Sequence, residues 1–264
     1  MCGIFAFIKK YTNLPISSDL REELLNGWDC GKSRGPEHSV MQDYSCGMIG
    51  FHRLAINGLN VISNQPLEKD ECVLICNGEI YNYKELYSQL NVVPKTHSDC
   101  EVIIDMYRKY GIDYTMQNLD GVFAFILIDN KNNTIYVARD PFGVRPMYYC
   151  QSEYGYCFTS EFKQLSYLCT SETPYGQFIP GSYSELKIDN AGNTRVILEN
   201  KKYADFQFQA NYNFSYDQCY DTHYYQTYHN LCAAVKKRVE NTDRPIACLL
   251  SGGLDSSLIA ALVR

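Results

Sequence analysis

The chain has 264 residues and 12 cysteines, yet no C-x-x-C pair. Without that spacing nothing supports a zinc site of the finger or ribbon kind. Nor does any run approach the ~18 apolar residues of a membrane-spanning helix, so no membrane partner is expected. The opening apolar stretch, "GIFAFI", is too short for a signal peptide and has no basic segment before it, which points to a cytoplasmic location. In that reducing compartment most cysteines read as small buried hydrophobes rather than disulfide partners. Positive charge is scarce too. The 24 Lys and Arg against 30 Asp and Glu leave a net charge of −6, which argues against a nucleic-acid surface. Internal repeats and low-complexity tracts are missing. Present in their place are 45% hydrophobic residues, enough for a sizeable core, and 23 tyrosines that carry no functional reading in the sequence.

The first two hundred residues read as strands joined by turns. "CGIFAFI", "CGMIGFHRLAI" and "CVLICNGEIYN" are continuous apolar runs, expected as strands buried on both faces. "VFAFILID", "NKNN" and "TIYVARD" read as a hairpin with a polar turn. "MYYCQ", "SEYG" and "YCFTSE" repeat that pattern, so mostly antiparallel sheets are predicted. "SDCEVIIDMYRKYG" predicts a helix with a capping box from Ser98 to Glu101, an apolar face of Val102, Ile103, Met106 and Tyr110, and Gly111 as its end. "DLREELLNG" predicts another, stopped at Gly27. The character changes near residue 200. Residues 205–222 read as a linker. "THYYQTYHNLCAAVKKRVEN" follows as a helix, and "PIACLLSGGLDSSLIAALVR" as an apolar strand, a Gly-rich turn and a helix, the start of an α/β unit.

Four places carry chemistry in more than one reading. Cys2 becomes the first residue if Met1 is removed. An α-amine titrates at roughly 7.7–8.0 and a thiol at roughly 8.5, so such a cysteine is a nucleophile with its own base; the plainer reading is a small residue at a chain end. Asn77-Gly78 is a hairpin-turn signal, or else an amide and a backbone N–H aimed at a developing oxyanion. Arg53, inside an apolar run, is an internal ion-pair partner or a fork for a substrate carboxylate. Asp99 at a helix start complements the helix dipole or holds a substrate ammonium. The string "LLSGGLDSS" is more specific. A glycine-rich turn between strand and helix, with Ser251, Ser256 and Ser257, forms an anion cradle. No lysine follows the glycines, so it is not a Walker A loop. Asp255 is placed to help hold Mg²⁺ on bound phosphates.

Taken in order, "MCGIF", "SRGPEHS", "FHRLAI", "NQPL", "CNGEIYNY", "SDCEVI", "LDGVFAFILID", "ARDPFGVRP" and "LLSGGLDSSL" resemble the glutamine-hydrolysing asparagine synthetases. The resemblance implies an α+β fold. Residues 2–204 would form a class II glutamine amidotransferase domain, an N-terminal-nucleophile αββα sandwich of mostly antiparallel sheets. Residues 223–264 would begin an α/β ATP-pyrophosphatase domain whose adenine and aspartate contacts fall beyond Arg264. It implies that Cys2 attacks the glutamine amide and forms a thioester, and that Asn77 and Gly78 form the oxyanion hole. Arg53 would grip the substrate carboxylate, Asp99 with Gly78 and Glu79 its amino end, and Leu54, Ala55, Ile56 and Asn57 would lie along it. Leu250, Ser251, Gly252, Gly253, Leu254, Asp255 and Ser256 would bind the pyrophosphate of ATP, with Mg²⁺ on Asp255. Ammonia would pass to a β-aspartyl-adenylate. Where the family has Asp after "RGP" this chain has Glu37, a longer carboxylate, a change without consequence if the residue only closes a loop. The implied partners are glutamine, aspartate and ATP, with a homodimer as the association considered. The chain alone is expected to act only as a glutaminase. The alternatives are another class II amidotransferase, making an aminosugar or a nucleotide precursor, and a regulatory or binding module on the same fold.

Overall fold

The computed structural model describes residues 1–170, 172–204 and 220–264. Up to Lys202 the chain runs β1 (Gly3–Lys9), α1 (Ser18–Asp29), β2 (His38–Tyr44), β3 (Gly47–Arg53), β4 (Leu67–Lys69), β5 (Cys72–Ile80), α2 (Tyr83–Leu90), α3 (Val102–Asn118), β6 (Gly121–Asp129), β7 (Thr134–Arg139), β8 (Tyr148–Gln151), β9 (Gly155–Thr159), β10 (Tyr175–Gln177), β11 (Ser182–Ile188) and β12 (Thr194–Lys202). The strands form two six-stranded sheets, ordered β10-β8-β9-β1-β3-β2 and β12-β11-β7-β6-β5-β4. The strand ladders are antiparallel.

The apolar runs explain the layering. Because successive strand residues point to opposite faces, a continuous run feeds two cores at once. Ile4, Ala6 and Ile8 of β1 face the middle of the sandwich with Ile49 and Phe51. There they meet Val73, Ile75, Ala124, Ile126 and Val137 of the second sheet. Phe5 and Phe7, between them in sequence, pack outward with Leu20 and Leu24 of α1. On the far side Leu74, Cys76, Phe123, Phe125 and Leu127 pack with Val102, Ile103 and Met106 of α3. The result is helix, sheet, sheet, helix, the αββα sandwich expected.

Several local expectations differ. Gly27 does not stop α1, which runs to Asp29. A Cβ there would lie 2.5 Å from the Gln164 carbonyl, so the glycine serves close packing. The capping box before α3 does not form. Ser98 Oγ accepts from Cys100 N–H, while the Glu101 carboxylate takes the N–H groups of Lys95 and Thr96 and the Lys69 ammonium. Gly111, at φ 80°, does break the helix, but helical turns resume to Asn118. Tyr110 leaves the apolar face and packs at a tilt against the Tyr114 ring.

By its internal contacts the chain divides into two units, Met1–Asp205 and Phe206–Arg264. The expected linker, 205–222, lies outside the described residues as far as residue 219. In the second unit α4 (Tyr220–Val239) begins three residues before the expected boundary, and α5 (Leu254–Val263) follows the Gly-rich turn. The strand expected at "PIACLL" is absent: residues 245–250 have no regular structure. Among the described residues of this unit there is no other strand to pair with them, and a strand needs a partner ladder.

Candidate active site

The β1–β3 register pairs Gly3 with His52, so Cys2 falls beside the end of β3. Its Sγ lies 3.4 Å from the Leu54 nitrogen, whose N–H it accepts, and 3.3 Å from the Leu54 carbonyl. Arg34 Nε donates to the Cys2 carbonyl at 2.8 Å and fixes the start of the chain. Burial pushes the Cys2 thiol up, and the Leu54 N–H works against that shift. Burial likewise lowers the Met1 α-amine. Both shifts favour the uncharged forms, a thiol beside a free amine.

Asn77 and Gly78 are not a turn. They lie within β5, opposite Ala124 and Phe123 of β6. Position 78 must be glycine on packing grounds, since a Cβ would sit 2.5 Å from the Val122 carbonyl. Asn77 is buried, and its Nδ2 has no hydrogen-bond partner. Buried amides are nearly always bonded, so this donor, lining the same cleft as Cys2, is set up for a group that is not part of the chain.

Arg53 ends β3 and is buried. Its guanidinium donates to the carbonyls of Asn57 (3.3 Å), Gly58 and Asn60 (3.2 Å), and to Asn64 Oδ1 at 2.6 Å. These four acceptors are all carbonyl oxygens. Asp99 is buried rather than exposed on a helix end. Its Oδ2 accepts from Ile80 N–H at 2.7 Å. Burial pushes its carboxyl up to about 6, against the Ile80 N–H and the nearby Asn57 amide, with Glu79 adding to the rise. The Asn57 amide stands close, but its Nδ2 closes no hydrogen bond of ordinary geometry. Leu54, Ala55, Ile56 and Asn57 run along one wall of the cleft, and Glu37 closes that loop by accepting from Ala55 N–H at 3.0 Å.

Cys2, Arg53, Asn77, Gly78 and Asp99 thus line one cleft. The Glu79 carboxylate, whose charge adds to the rise at Asp99, pairs with Arg145 at 2.6 Å, and Arg145 lines the cleft. Arg145 was not singled out in the sequence, nor were Ser63, Gln65, Cys76 and Cys100, which also line it. The signal for Arg145 was available in "ARDPFGVRP". Asp140 there accepts from the N–H groups of Phe142, Val144 and Arg145 and shapes the turn that delivers the guanidinium. Gln65 grips β5 at Cys76, accepting from its N–H at 2.6 Å and donating to its carbonyl at 3.0 Å.

In the second unit the turn before α5 is exposed. Gly252 holds φ 85°, a conformation that favours glycine. Ser251 and Ser256 hydroxyls lie 2.9 Å apart, and Ser256 and Ser257 both donate to the Gly253 carbonyl. Leu250, Leu254 and Asp255 flank it, all exposed. Among the described residues no group of three or more His, Cys, Asp or Glu is arranged to hold a metal ion, and no helix is long and apolar enough to cross a membrane.

A cysteine at position 2, where a central strand of one sheet begins, shares its cleft with an unpartnered amide on the other sheet, as in an N-terminal-nucleophile amidotransferase. Residues 1–191 match the model of the glutamine amidotransferase domain, and the chain belongs to that family. Residues 226–264 match the asparagine synthase model. Among curated proteins the chain is 36% identical over 279 residues to the glutamine-hydrolysing asparagine synthetase of Mus musculus and 35% to that of Homo sapiens. In both cases the match covers 99% of this chain and 48% of the relative. A probable asparagine synthetase of Acanthamoeba polyphaga mimivirus is 36% identical over 278 residues, covering 99% and 49%. The chain therefore spans about half the length of the curated relatives it matches. Among solved structures, the glutamine phosphoribosylpyrophosphate amidotransferase of B. subtilis superposes with a TM-score of 0.57 at 18% identity, over 78% of this chain and 50% of that one. At that identity the likeness bears on the fold alone.

Proposed function

We propose that this chain hydrolyses glutamine at Cys2 and that, within a longer protein like its relatives, the released ammonia serves asparagine synthesis. Once Met1 is removed, the α-amine belongs to Cys2 and takes the thiol proton, directly or through one water. Sγ attacks the glutamine side-chain carbonyl. The oxygen of the tetrahedral intermediate accepts from Asn77 Nδ2 and the Gly78 N–H. The C–N bond breaks, ammonia leaves with the returned proton, and water hydrolyses the thioester to glutamate. Arg53 holds the substrate carboxylate and Asp99, when ionised, its ammonium. The "LAIN" wall, Leu54 to Asn57, lies along its length. The observation that carries this reading is the buried, unpartnered Asn77 amide in the cleft of Cys2.

The turn at 250–256 fits a polyphosphate in its donor set. One glycine is at φ 85°, a second precedes α5, and serine hydroxyls cluster at the first turn. Ser251, Gly252, Gly253 and Ser256 would hold the phosphates and Asp255 a Mg²⁺ ion. ATP bound there would supply the adenylyl group that activates aspartate. The turn also favours this reading over an amidotransferase that makes an aminosugar or a nucleotide precursor, because those reactions do not adenylate the acceptor. The test is glutamate release from glutamine, with intact mass measured on the same sample. Release by a species lacking Met1, and none from Cys2→Ala, is expected. Full activity with Met1 retained would exclude the Cys2 amine as the base.

A further inference from the structure

Two separate segments carry the two grips for an amino acid's charged ends. The segment after β3 holds the Arg53 guanidinium through the carbonyls of Asn57, Gly58 and Asn60. The segment before α3 carries Asp99, anchored to β5 by Ile80 N–H. Ser63 joins them. Its hydroxyl donates to Asn60 Oδ1 at 2.8 Å in the first segment and accepts from His97 N–H at 3.1 Å in the second. The residue is 1% exposed and lines the cleft. Gly58 confirms how closely the segments approach. At φ 62° its Cβ would meet Ser63 Oγ at 2.5 Å and the His97 carbonyl carbon at 2.8 Å.

We propose that Ser63 is a positioning residue that fixes the separation between the carboxylate clamp and the ammonium acceptor, and so sets the preference for an α-amino acid amide. The proposal rests on the glutaminase reading. A hydroxyl that donates to a side chain of one segment and accepts from the backbone of the other ties the two segments at one spacing. A substrate with both charged groups must match that spacing. One with only the carboxylate does not.

The experiment compares L-glutamine with glutaramate, which keeps the carboxamide and carboxylate but has no amino group. For Ser63→Ala the ratio of kcat/KM for L-glutamine over glutaramate should fall roughly five- to tenfold, the size of one lost hydrogen bond. The loss should sit in KM for L-glutamine, with kcat nearly unchanged. Asn60→Ala, at an exposed position, removes the acceptor and should lower the same ratio. The double variant should fall little further, since both changes break one bridge. Equal losses for both substrates, or an unchanged ratio while the parent chain hydrolyses glutamine, would overturn the positioning role alone. No hydrolysis by the parent chain would overturn the reading and the inference together.

Discussion

Asn77 and Asp99 show how burial changes what an ordinary side chain can do. An amide with no partner inside the protein costs stability, and it gains one only when an oxygen arrives. Asn77→Ala should therefore leave the fold intact while lowering kcat for glutamine hydrolysis by roughly 10²–10³. A change confined to thermal stability would remove it from the oxyanion hole. Asp99 predicts a pH dependence. Its carboxyl, pushed up to about 6, must be ionised to face an ammonium. Glutamine affinity, measured calorimetrically on Cys2→Ala protein, should fall about tenfold per unit as the pH drops below about 6. Asp99→Asn should bind weakly with no such dependence. The same shift affects folding with the opposite sign to a salt-bridged carboxylate. The folded state binds the extra proton between about 4 and about 6, so this group's contribution to stability declines across that window and is constant above it.

At the scale of elements, the short edge strand β4 is tied to the helical layer by a buried ion cluster. Lys69 Nζ lies 3.0 Å from Glu101 and 2.8 Å from Asp105, and the three side chains are 8%, 2% and 9% exposed. Glu101 also holds the backbone at Lys95 and Thr96, leading into Asp99. Lys69→Met should cost about 3–5 kcal/mol in denaturant titrations, because two buried carboxylates lose their counter-charge. Adding Glu101→Gln and Asp105→Asn should recover part of that loss; no recovery would refute the charge explanation. This cluster is why the capping box at Ser98 fails. Local spacing favoured Glu101 turning back on its own helix, and a lysine 32 residues away outcompeted it. The tyrosines belong to this scale too. Tyr107, Tyr183 and Tyr203 pack their rings on or in the core and reach Asp129, Asp113 and the Arg139 carbonyl with their hydroxyls, as amphipathic side chains do.

For the whole molecule, the two units differ in what supports them. The first has three packed cores and every group of the proposed glutaminase site. The second, as described, holds two helices with Leu249 and Leu254 98% and 84% exposed, and no sheet behind the proposed phosphate turn. A cradle binds well only when its N–H groups are fixed by their surroundings. Given glutamine, aspartate, ATP and Mg²⁺, these 264 residues should yield glutamate but neither asparagine nor pyrophosphate. Separate assays of the three products decide it, and asparagine formation would show the turn functional without a sheet.

The sequence by itself determined the strands, since continuous apolar runs can be satisfied only between two layers. It also determined the set of chemical groups, whose order along the chain marks the family. Tertiary structure decided how those groups are used. Asn77-Gly78 carries a turn signal, yet β6 pairs along its whole length and makes it strand. Glu79 finds its partner in Arg145, 66 residues away, which brings that guanidinium to the cleft. Ser63 gave no signal, because its bridge to His97 spans 34 residues. Periodicity and capping rules report neighbours within a turn or two of chain, whereas the partners of a buried charge or hydroxyl are set by which layers the fold brings together.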